Sequence, residues 1–460
     1  MVRLFNHWLR WRSLAQMLFD FSFVIVGIII ATMWVHNGLP VNHRQLLIFG
    51  GLLGIAMLLI NSWLGFYQRY NNRSTMETRA RAVLSLYLAV PVAYGIYTLL
   101  PLSGVNREFL QLSAMSAVFG MLVTRVSATQ AGNSSILTRK ILVFGTGERA
   151  LGVKRALNKS DPSAEILGFF PGPNEEEIAV PGNMILARTR SLTDTAISMR
   201  ADEIVVAVSE RRGGAMPLRE LLDCKLQGIR VLDLASHFEQ TLGQIRLESL
   251  YAGWLIFGDG FRQGAARTIV KRFFDIICAS ILILLALPIM AIAAFAIVLE
   301  NGFPILYRQE RVGLNGRLFN VIKFRSMRRD AEKDGKPVWA TAQDNRTTRV
   351  GKIIRKLRID ELPQLFSVLS GDMSLVGPRP ERPFFVDQLT KEIPFYAVRH
   401  SVKPGVTGWA QVRYHYGATV EDSAEKLQYD LYYVKNHSLF LDILVLFETI
   451  GVVLTGKGAH

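Results

Sequence analysis

The apolar run of residues 271–300 is the most informative part of the chain, and it reads KRFFDIICASILILLALPIMAIAAFAIVLE. It is longer than the roughly 20 residues that a spanning helix needs. Both flanks are basic, because Lys271 and Arg272 open the run and three arginines follow it within residues 308–317. Basic flanks favour the cytoplasmic face of a membrane. Pro288 lies near the middle and removes a helix hydrogen-bond donor. The run therefore predicts a helix–break–helix hairpin that enters and leaves by one face.

Asp275 lies just inside the basic entry of this run, where we expect it to pair with Arg272. An ordinary fifth span is the alternative to the hairpin. It would place the basic segment 308–358 on the outer face, against the positive-inside trend.

Four further apolar stretches precede this run, and each is close to the length of a spanning helix. They cover roughly residues 14–35, 46–67, 82–102 and 108–126. Arginines concentrate on alternate sides of these stretches, so the N-terminus and everything after about residue 127 should be cytoplasmic. The sequence predicts a four-helix transmembrane domain over residues 1–127 and a linker at 128–138. The first stretch is too long for the apolar part of a cleavable signal peptide.

An α/β pattern follows over residues 139–255. Buried-strand runs at 140–144, 201–208 and 228–233 alternate with helical patterns, which predicts a parallel sheet. The Gly145-Thr146-Gly147 turn partly matches a dinucleotide fingerprint, with Ala150 in place of the third glycine. This domain is therefore interpreted either as a nucleotide site or as a regulatory or structural Rossmann-like domain.

Composition narrows the class of protein. The chain has 460 residues, enough for two or three domains, and 50% of them are hydrophobic, which is typical of a membrane protein. Its formal net charge of +15 suits nucleic acid, an anionic membrane or phosphorylated substrates. Nucleic acid is disfavoured because the basic residues lack interleaved aromatic side chains. The 2 cysteines cannot form a disulfide framework or, alone, a zinc site.

Two adjacent carboxylates, Asp360 and Glu361, lie within the basic run KIIRKLRIDELPQL of residues 352–365. Pro363 favours the first turn of a helix, so the pair should lie at a helix N-terminus, where the ionised form is stabilised. An ionised carboxylate can attack phosphorus or bind Mg²⁺. The alternative is an acidic helix cap with a surface ion pair.

Two further segments suit anion binding. Gly377, Pro378 and Pro380 make a stiff turn that holds Arg379, whose planar guanidinium matches phosphate oxygens. The glycines of the KPGVTGWAQV run at 403–412 allow backbone amides to approach an anion. Each segment alone has a structural alternative.

Taken together, the motifs resemble the bacterial sugar transferase family, also called monotopic phosphoglycosyl transferases. The resemblance covers about residues 270–455. Its motifs in chain order are KRFFD at 271–275, RQERVG at 308–313, KFRSM at 323–327, DELPQ at 360–364, VGPRP at 376–380 and GVTGWAQ at 405–411. The spans and the α/β domain before it are similar to those of the large subtype that initiates exopolysaccharide or O-antigen synthesis.

The resemblance implies both a fold and a reaction. The fold is a membrane protein with an α-helical bundle, a Rossmann-like (CoA-binding-like) α/β domain and an α/β monotopic catalytic domain at 265–460 with a re-entrant helix at 270–300. The reaction transfers a sugar 1-phosphate from a UDP-sugar to undecaprenyl phosphate and releases UMP. It would occur at the cytoplasmic face of the bacterial inner membrane, among membrane lipids, with Mg²⁺ and in a possible homodimer.

The resemblance also assigns roles to residues. Asp360 is the implied nucleophile and Mg²⁺ ligand, and Glu361 assists it. Five basic residues are the implied phosphate ligands: Lys323, Arg325, Arg355, Arg379 and Arg382. Lys271, Arg272, Asp275 and Pro288 belong to the implied hairpin. The family often has serine before that proline, and this chain has Leu287.

Two rival functions are weighed against this expectation. A non-catalytic membrane scaffold or sensor accounts for the spans and the α/β domain, but not for six ordered motifs. A nucleotide-sugar epimerase or dehydratase would need a Tyr-x-x-x-Lys pair, which residues 140–255 lack.

Overall fold

The computed structural model describes most of the chain, apart from several internal segments and residues at both termini. The described residues are 2–4, 7–9, 11–35, 43–67, 75–99, 112, 113, 115, 119, 120, 138–160, 164–173, 178–208, 216–250, 255, 260, 261, 264–328, 346–414, 417 and 419–455. The chain divides into two compact units, one of residues 1–2 and 9–242 and the other of residues 3–8 and 243–460. Two short strands, β1 (Val2–Leu4) and β2 (His7–Leu9), pair near the N-terminus.

Three long apolar helices follow, α1 (Trp11–Val35), α2 (His43–Trp63) and α3 (Thr75–Leu99). They share a small core that includes Phe49 and Leu53. Ser85 on α3 donates a buried hydrogen bond to Asn61 on α2 at 2.9 Å, a polar contact typical of helices packed in lipid.

By length and composition, segments of α1 and α2, Ser13–Trp34 and Leu46–Trp63, can cross a membrane. They match the first two predicted spans. The apolar part of α3, Val83–Leu99, is shorter, so the third span remains a prediction. The fourth predicted span (108–126) and the linker (128–138) fall almost entirely outside the described residues.

The α/β part forms a parallel sheet, as predicted, but it has four strands, and the strand at Ala164–Phe170 was not among the predicted runs. Its elements are β3 (Arg139–Phe144), α4 (Glu148–Ser160), β4 (Ala164–Phe170), α5 (Leu192–Ser198), β5 (Glu203–Val206), α6 (Leu218–Leu226), β6 (Arg230–Asp233) and α7 (Leu234–Leu242). The strand order is β4-β3-β5-β6. After charged residues at their starts, the central strands β3 and β5 are apolar, because both faces of a parallel sheet are covered by other elements, here by two separate apolar cores.

The glycine turn after β3 lies against the chain's own backbone. Gly145 has φ +129°, a conformation that favours glycine. The carbonyl of Thr146 accepts hydrogen bonds from the amides of Ala179 and Val180, at 2.9 and 3.2 Å. The segment around Ala179 therefore lies beside the turn where a dinucleotide fingerprint would hold its phosphates.

The second unit contains one long apolar helix and a compact α/β domain. Its elements are α8 (Ala265–Asn301), β7 (Leu306–Val312), β8 (Leu318–Phe324), α9 (Arg349–Lys356), α10 (Gln364–Ser370), β9 (Ser374–Val376), α11 (Pro383–Glu392), β10 (Gly405–Thr407), α12 (Trp409–Arg413), α13 (Val420–Asn436) and α14 (Leu439–Thr455). Strands β7 and β8 form an antiparallel hairpin, and β9 pairs with β10 in parallel.

Helix α8 is continuous where the sequence predicts a broken helix. It has 37 residues with Pro288 inside it, and it is long and apolar enough to cross a membrane. A proline removes one hydrogen bond from a helix, but the turns on either side can carry the helix through it. The predicted division into two helices at Pro288 is therefore wrong.

Candidate active site around Asp360 and Glu361

The two predicted carboxylates lie on a short 3-10 turn, Ile359–Glu361, between α9 and α10. Arg358 immediately precedes the turn and has a left-handed backbone conformation, with φ +58°. Pro363 then begins the approach to α10. Asp360 and Glu361 are each only 9% exposed. The sequence predicted the pair at the start of a helix. In the structure the pair lies on the short turn directly before α10.

Glu361 is held by three cations. Its carboxylate lies 2.8 Å from Nη2 of Arg379, 3.2 Å from Nζ of Lys323 and 3.6 Å from Nη1 of Arg358. Burial alone would raise the pKa of Glu361, but Arg379, Lys323 and Arg358 outweigh it and hold that pKa far below its usual range. Glu361 is therefore a fixed negative charge.

Asp360 has the opposite environment. Within the described residues its carboxylate makes no hydrogen bond and no ion pair. Burial and the adjacent Glu361 charge raise its pKa to about 6, although Lys323, Arg355 and Arg358 act in the other direction. The structure thus pairs one tethered carboxylate with one whose oxygen atoms have no protein partner in the described part of the chain.

Arg355 on α9 adds a free donor beside this pair. It contributes favourable charge to Asp360. Its Nη1 atom is buried, and no partner for it lies among the described residues. A buried guanidinium nitrogen without a partner is costly. An anion bound beside Asp360 would satisfy it.

The stiff turn that carries Arg379 is held through its carbonyl oxygens, since Pro378 and Pro380 have no amide N–H to donate. The four consecutive carbonyls accept hydrogen bonds as follows: residue 378 from the amide of Gly405, residue 379 from Nη2 of Arg399, residue 380 from Nη1 of Arg311, and residue 381 from the amide of Val312. These donors come from three different parts of the domain. The Arg379 side chain is thereby aimed at Glu361.

The other predicted phosphate ligands divide into two groups. Lys323, on β8, joins Arg379 at Glu361, and burial lowers its pKa. Arg382 lies at the start of α11 and adds positive charge near Arg311. Arg325 instead donates to the carbonyls of Asn301 and Gly302 at the end of α8, at 3.0 and 2.6 Å. Its predicted contact with phosphate stays a prediction.

The predicted hairpin residues anchor the first part of α8. Lys271 donates to Asp442 on α14 at 2.7 Å, and Asp275 accepts from the amide of Leu375 on β9 at 3.2 Å. Arg272 donates to the last carbonyls of α10, including that of Leu369 at 2.7 Å. The expected pairing of Asp275 with Arg272 is therefore wrong, because Arg272 caps α10 and Asp275 lies nearer Lys271, at 3.9 Å.

Several residues of the site have no signal in the sequence. Arg358 adjoins the carboxylate pair but belongs to no recognised turn pattern. Arg399 and Asp430 are far apart in sequence and meet in a buried ion pair at 2.8 Å. Only the tertiary fold brings them behind Arg379.

The donor set suits a divalent cation that arrives with its substrate. Among the described residues, no cluster of three or more His, Cys, Asp or Glu side chains could hold a metal alone. Mg²⁺ commonly binds one or two carboxylates together with substrate phosphates. Asp360 offers one carboxylate with unshared oxygens, and Arg355, Arg379 and Lys323 surround the place where phosphates would complete the site.

Comparison with known proteins places the second unit among sugar transferases. A family described as bacterial sugar transferase matches residues 266–456. An Aeromonas hydrophila protein named UDP-N-acetylgalactosamine-undecaprenyl-phosphate N-acetylgalactosaminephosphotransferase is 46% identical over 242 residues, which are 53% of this chain and 56% of that protein.

Two relatives share another name, UDP-glucose:undecaprenyl-phosphate glucose-1-phosphate transferase. The Klebsiella pneumoniae protein is 40% identical over 42% of each chain. The Caulobacter vibrioides protein is 44% identical, over 41% of this chain and 72% of its own length. The chain thus spans about half the length of the first two of these relatives and most of the third.

Proposed function

The chain belongs to the bacterial sugar transferase family, and from this premise we propose that it transfers a sugar 1-phosphate from a UDP-sugar to undecaprenyl phosphate, releasing UMP. The observation that carries the proposal is the contrast within the carboxylate pair. Glu361 is tethered by three cations, whereas Asp360 is buried and makes no hydrogen bond or ion pair with the described residues.

In the first step an Asp360 carboxylate oxygen attacks the phosphorus that bears the sugar. The new bond joins this oxygen to phosphorus, and the bond from phosphorus to the bridging oxygen of UMP breaks. UMP leaves with that oxygen and its electron pair. The product is a phosphosugar carried on Asp360 through an acyl-phosphate bond.

In the second step a phosphate oxygen of undecaprenyl phosphate attacks the same phosphorus. The Asp360–phosphorus bond breaks, the carboxylate is restored, and undecaprenyl-diphosphate-sugar forms. Lys323, Arg355 and Arg379 neutralise phosphate charge in both steps, and Glu361 keeps Lys323 and Arg379 in place. Mg²⁺, when bound at Asp360, would further neutralise the diphosphate.

The re-entrant path of α8 is part of the proposal. Arg272 contacts α10, while Ile297 packs with Ile354 of α9 and Glu300 accepts hydrogen bonds from the amides of Arg349 and Val350. A straight helix would separate residues 272 and 300 by about 42 Å. Between Ala279 and Ala293 no residue of α8 is buried, and Leu284 and Leu285 are 73% and 67% exposed. Buried ends and an exposed apolar middle support a helix that bows into the lipid at Pro288 and returns.

The sheet has the strand order second-first-third-fourth, which is the flavodoxin-like order of a doubly wound α/β fold and differs from the 3-2-1-4 order of a Rossmann fold. The Rossmann-like assignment is therefore proposed only in the broad sense of a doubly wound parallel sheet. The segment at Ala179 beside the glycine turn favours a structural or regulatory role over dinucleotide binding. The inner-membrane location, the cytoplasmic face, the role in exopolysaccharide initiation and the homodimer stay predictions from the family resemblance.

The test is UMP release by the purified chain with Mg²⁺, undecaprenyl phosphate and a panel of UDP-sugars. We expect release with one or two donors, and its loss in Asp360→Asn. Asp372→Asn is the matched control, since Asp372 is an exposed acid in the same unit whose hydrogen-bond partner is Ser370. Turnover by Asp360→Asn at the wild-type rate would exclude Asp360 as the nucleophile. No release by a folded wild-type protein would favour the scaffold alternative.

A further inference from the structure

Arg399 lies directly behind the turn that carries Arg379. It is 5% exposed and sits on the 3-10 helix Tyr396–Ser401, which starts after Phe395 in the left-handed region with φ +62°. Its Nη2 atom donates to the carbonyl of Arg379 at 2.9 Å. Arg399 is thus the donor that holds the main chain of the residue whose side chain reaches Glu361.

Arg399 is itself fixed on its remaining sides. Its Nε and Nη2 atoms both contact one carboxylate oxygen of Asp430 on α13, at 3.0 and 2.8 Å. Its Nη1 atom donates to the hydroxyl of Tyr396 at 2.7 Å. Asp430 is 2% exposed. The guanidinium therefore has one orientation, set by two neighbouring elements.

A buried ion pair of this kind contributes little net stability, because removing both charges from water costs as much as their attraction returns. The ion pair instead fixes the orientation of the Arg399 side chain, since a guanidinium that is bonded on three sides cannot rotate. Lysine could not reproduce it, because an ammonium is a point charge that cannot contact the carboxylate and the carbonyl in the same geometry.

We propose that Arg399, held by Asp430, is a positioning residue that fixes the Arg379 guanidinium for the diphosphate of the donor. The chain of contacts runs from Asp430 through Arg399 and the Arg379 carbonyl to Glu361. Arg399 itself touches no substrate in this arrangement. The inference rests on the proposed function, because it concerns the same phosphate-binding side chain.

The variants Arg399→Lys and Asp430→Asn test it by calorimetric titration of UDP in the presence of Mg²⁺. We expect UDP to bind about tenfold more weakly to each, as the loss of a well-aimed charged contact implies. We also expect KM for the donor to rise more than kcat falls. Arg413→Lys is the matched control, since Arg413 and Glu448 form a similarly buried ion pair in the same unit, with 10% and 8% side-chain exposure.

A double-mutant cycle separates positioning from general stability. In an Arg379→Ala background, Arg399→Lys should weaken UDP binding no further, because the side chain it positions is gone. Equal effects in both backgrounds, or an effect of Arg399→Lys no larger than that of Arg413→Lys, would overturn the inference. So would a wild-type protein that does not bind UDP. A wild-type protein that binds UDP but releases no UMP would refute the proposed reaction alone, and the cycle would still be readable.

Discussion

Two neighbouring carboxylates in this chain have opposite electrostatic settings. The cations that contact Glu361 lower its pKa, while burial and that same Glu361 charge raise the pKa of Asp360 to about 6. Separated pKa values within a pair of acids are typical of sites in which the two acids have different roles. Among single residues, this pair is therefore the feature that points most directly to a catalytic site.

The raised pKa of Asp360 predicts a stability change. A carboxyl whose pKa is higher in the folded chain than its ordinary 3.8 destabilises the fold once it is ionised. Asp360→Asn should therefore be inactive yet more stable than wild type above pH 6, by about 3 kcal/mol. The gain should fade as the pH drops towards 4, where wild-type Asp360 is also neutral. Thermal unfolding of the variant and of wild type in metal-free buffer at pH 7.5 and pH 4.5 measures the gain and its loss. A variant less stable than wild type at pH 7.5 would contradict the raised pKa of Asp360.

Arg379 is predicted to act through charge on the donor phosphates. Arg379→Ala should lower kcat/KM for the UDP-sugar by about 100-fold, equivalent to about 3 kcal/mol of transition-state stabilisation. Arg308→Ala is the control, because Arg308 is an exposed arginine on β7. Steady-state UMP release measures the difference. Wild-type kinetics in Arg379→Ala would remove this side chain from the site.

The motifs predicted which side chains would come together better than they predicted the residues that hold them. The order of motifs pointed to Asp360, Glu361, Lys323 and Arg379, which the structure brings together. It could not identify Arg399 or Asp430, because a buried ion pair between distant residues has no local pattern. It also left the use of Arg325 open, since the carbonyls that this side chain binds belong to the end of another helix.

At the scale of elements, α8 differs most from expectation. Its apolar character, its basic ends and its length were readable from residues 271–300. Its continuity through Pro288 was not, because the effect of one proline depends on how the flanking turns are held. At its two ends α8 is anchored by Arg272, which contacts α10, and by Glu300, which contacts α9. Both partner helices are distant from α8 in sequence.

The path of α8 is testable by cysteine labelling in a background with Cys224 and Cys278 replaced by alanine. Cysteines at Thr268 and Phe303, both exposed, should react with a membrane-impermeant maleimide from the same side of inverted vesicles. A cysteine at Leu287, which is exposed in the apolar middle, should react from neither side. Labelling of residues 268 and 303 from opposite sides would restore an ordinary span.

At the scale of the whole molecule, the second unit is built from both ends of the chain, because residues 3–8 belong to it together with residues 243–460. His7 is buried, bonds to the hydroxyl of Tyr432 at 2.7 Å and packs edge-on against Trp409. We expect these two parts of one folded unit to lie on the same side of a membrane. The four predicted spans, an even number of crossings, agree with that expectation.

His7→Ala should destabilise this unit. The substitution removes a buried hydrogen bond and leaves a cavity beside Trp409, at a cost of about 2–3 kcal/mol. Thermal unfolding should show a lower Tm, while KM for the donor stays unchanged because His7 does not contact the carboxylate pair. Trp8→Phe serves as the control, because it alters the neighbouring position and keeps an aromatic ring there. An unchanged Tm in His7→Ala would show that the segment does not stabilise the unit.

The place of His7 has a consequence for the timing of synthesis. Its partner Tyr432 is 425 residues further along the chain. At roughly 5–20 residues per second, a ribosome needs on the order of 20–85 s to reach it. The segment around His7 is thus made long before Tyr432, and it can occupy this binding place only after the intervening chain has been synthesised. The second unit is therefore completed late, once the helix that carries Tyr432 has left the ribosome.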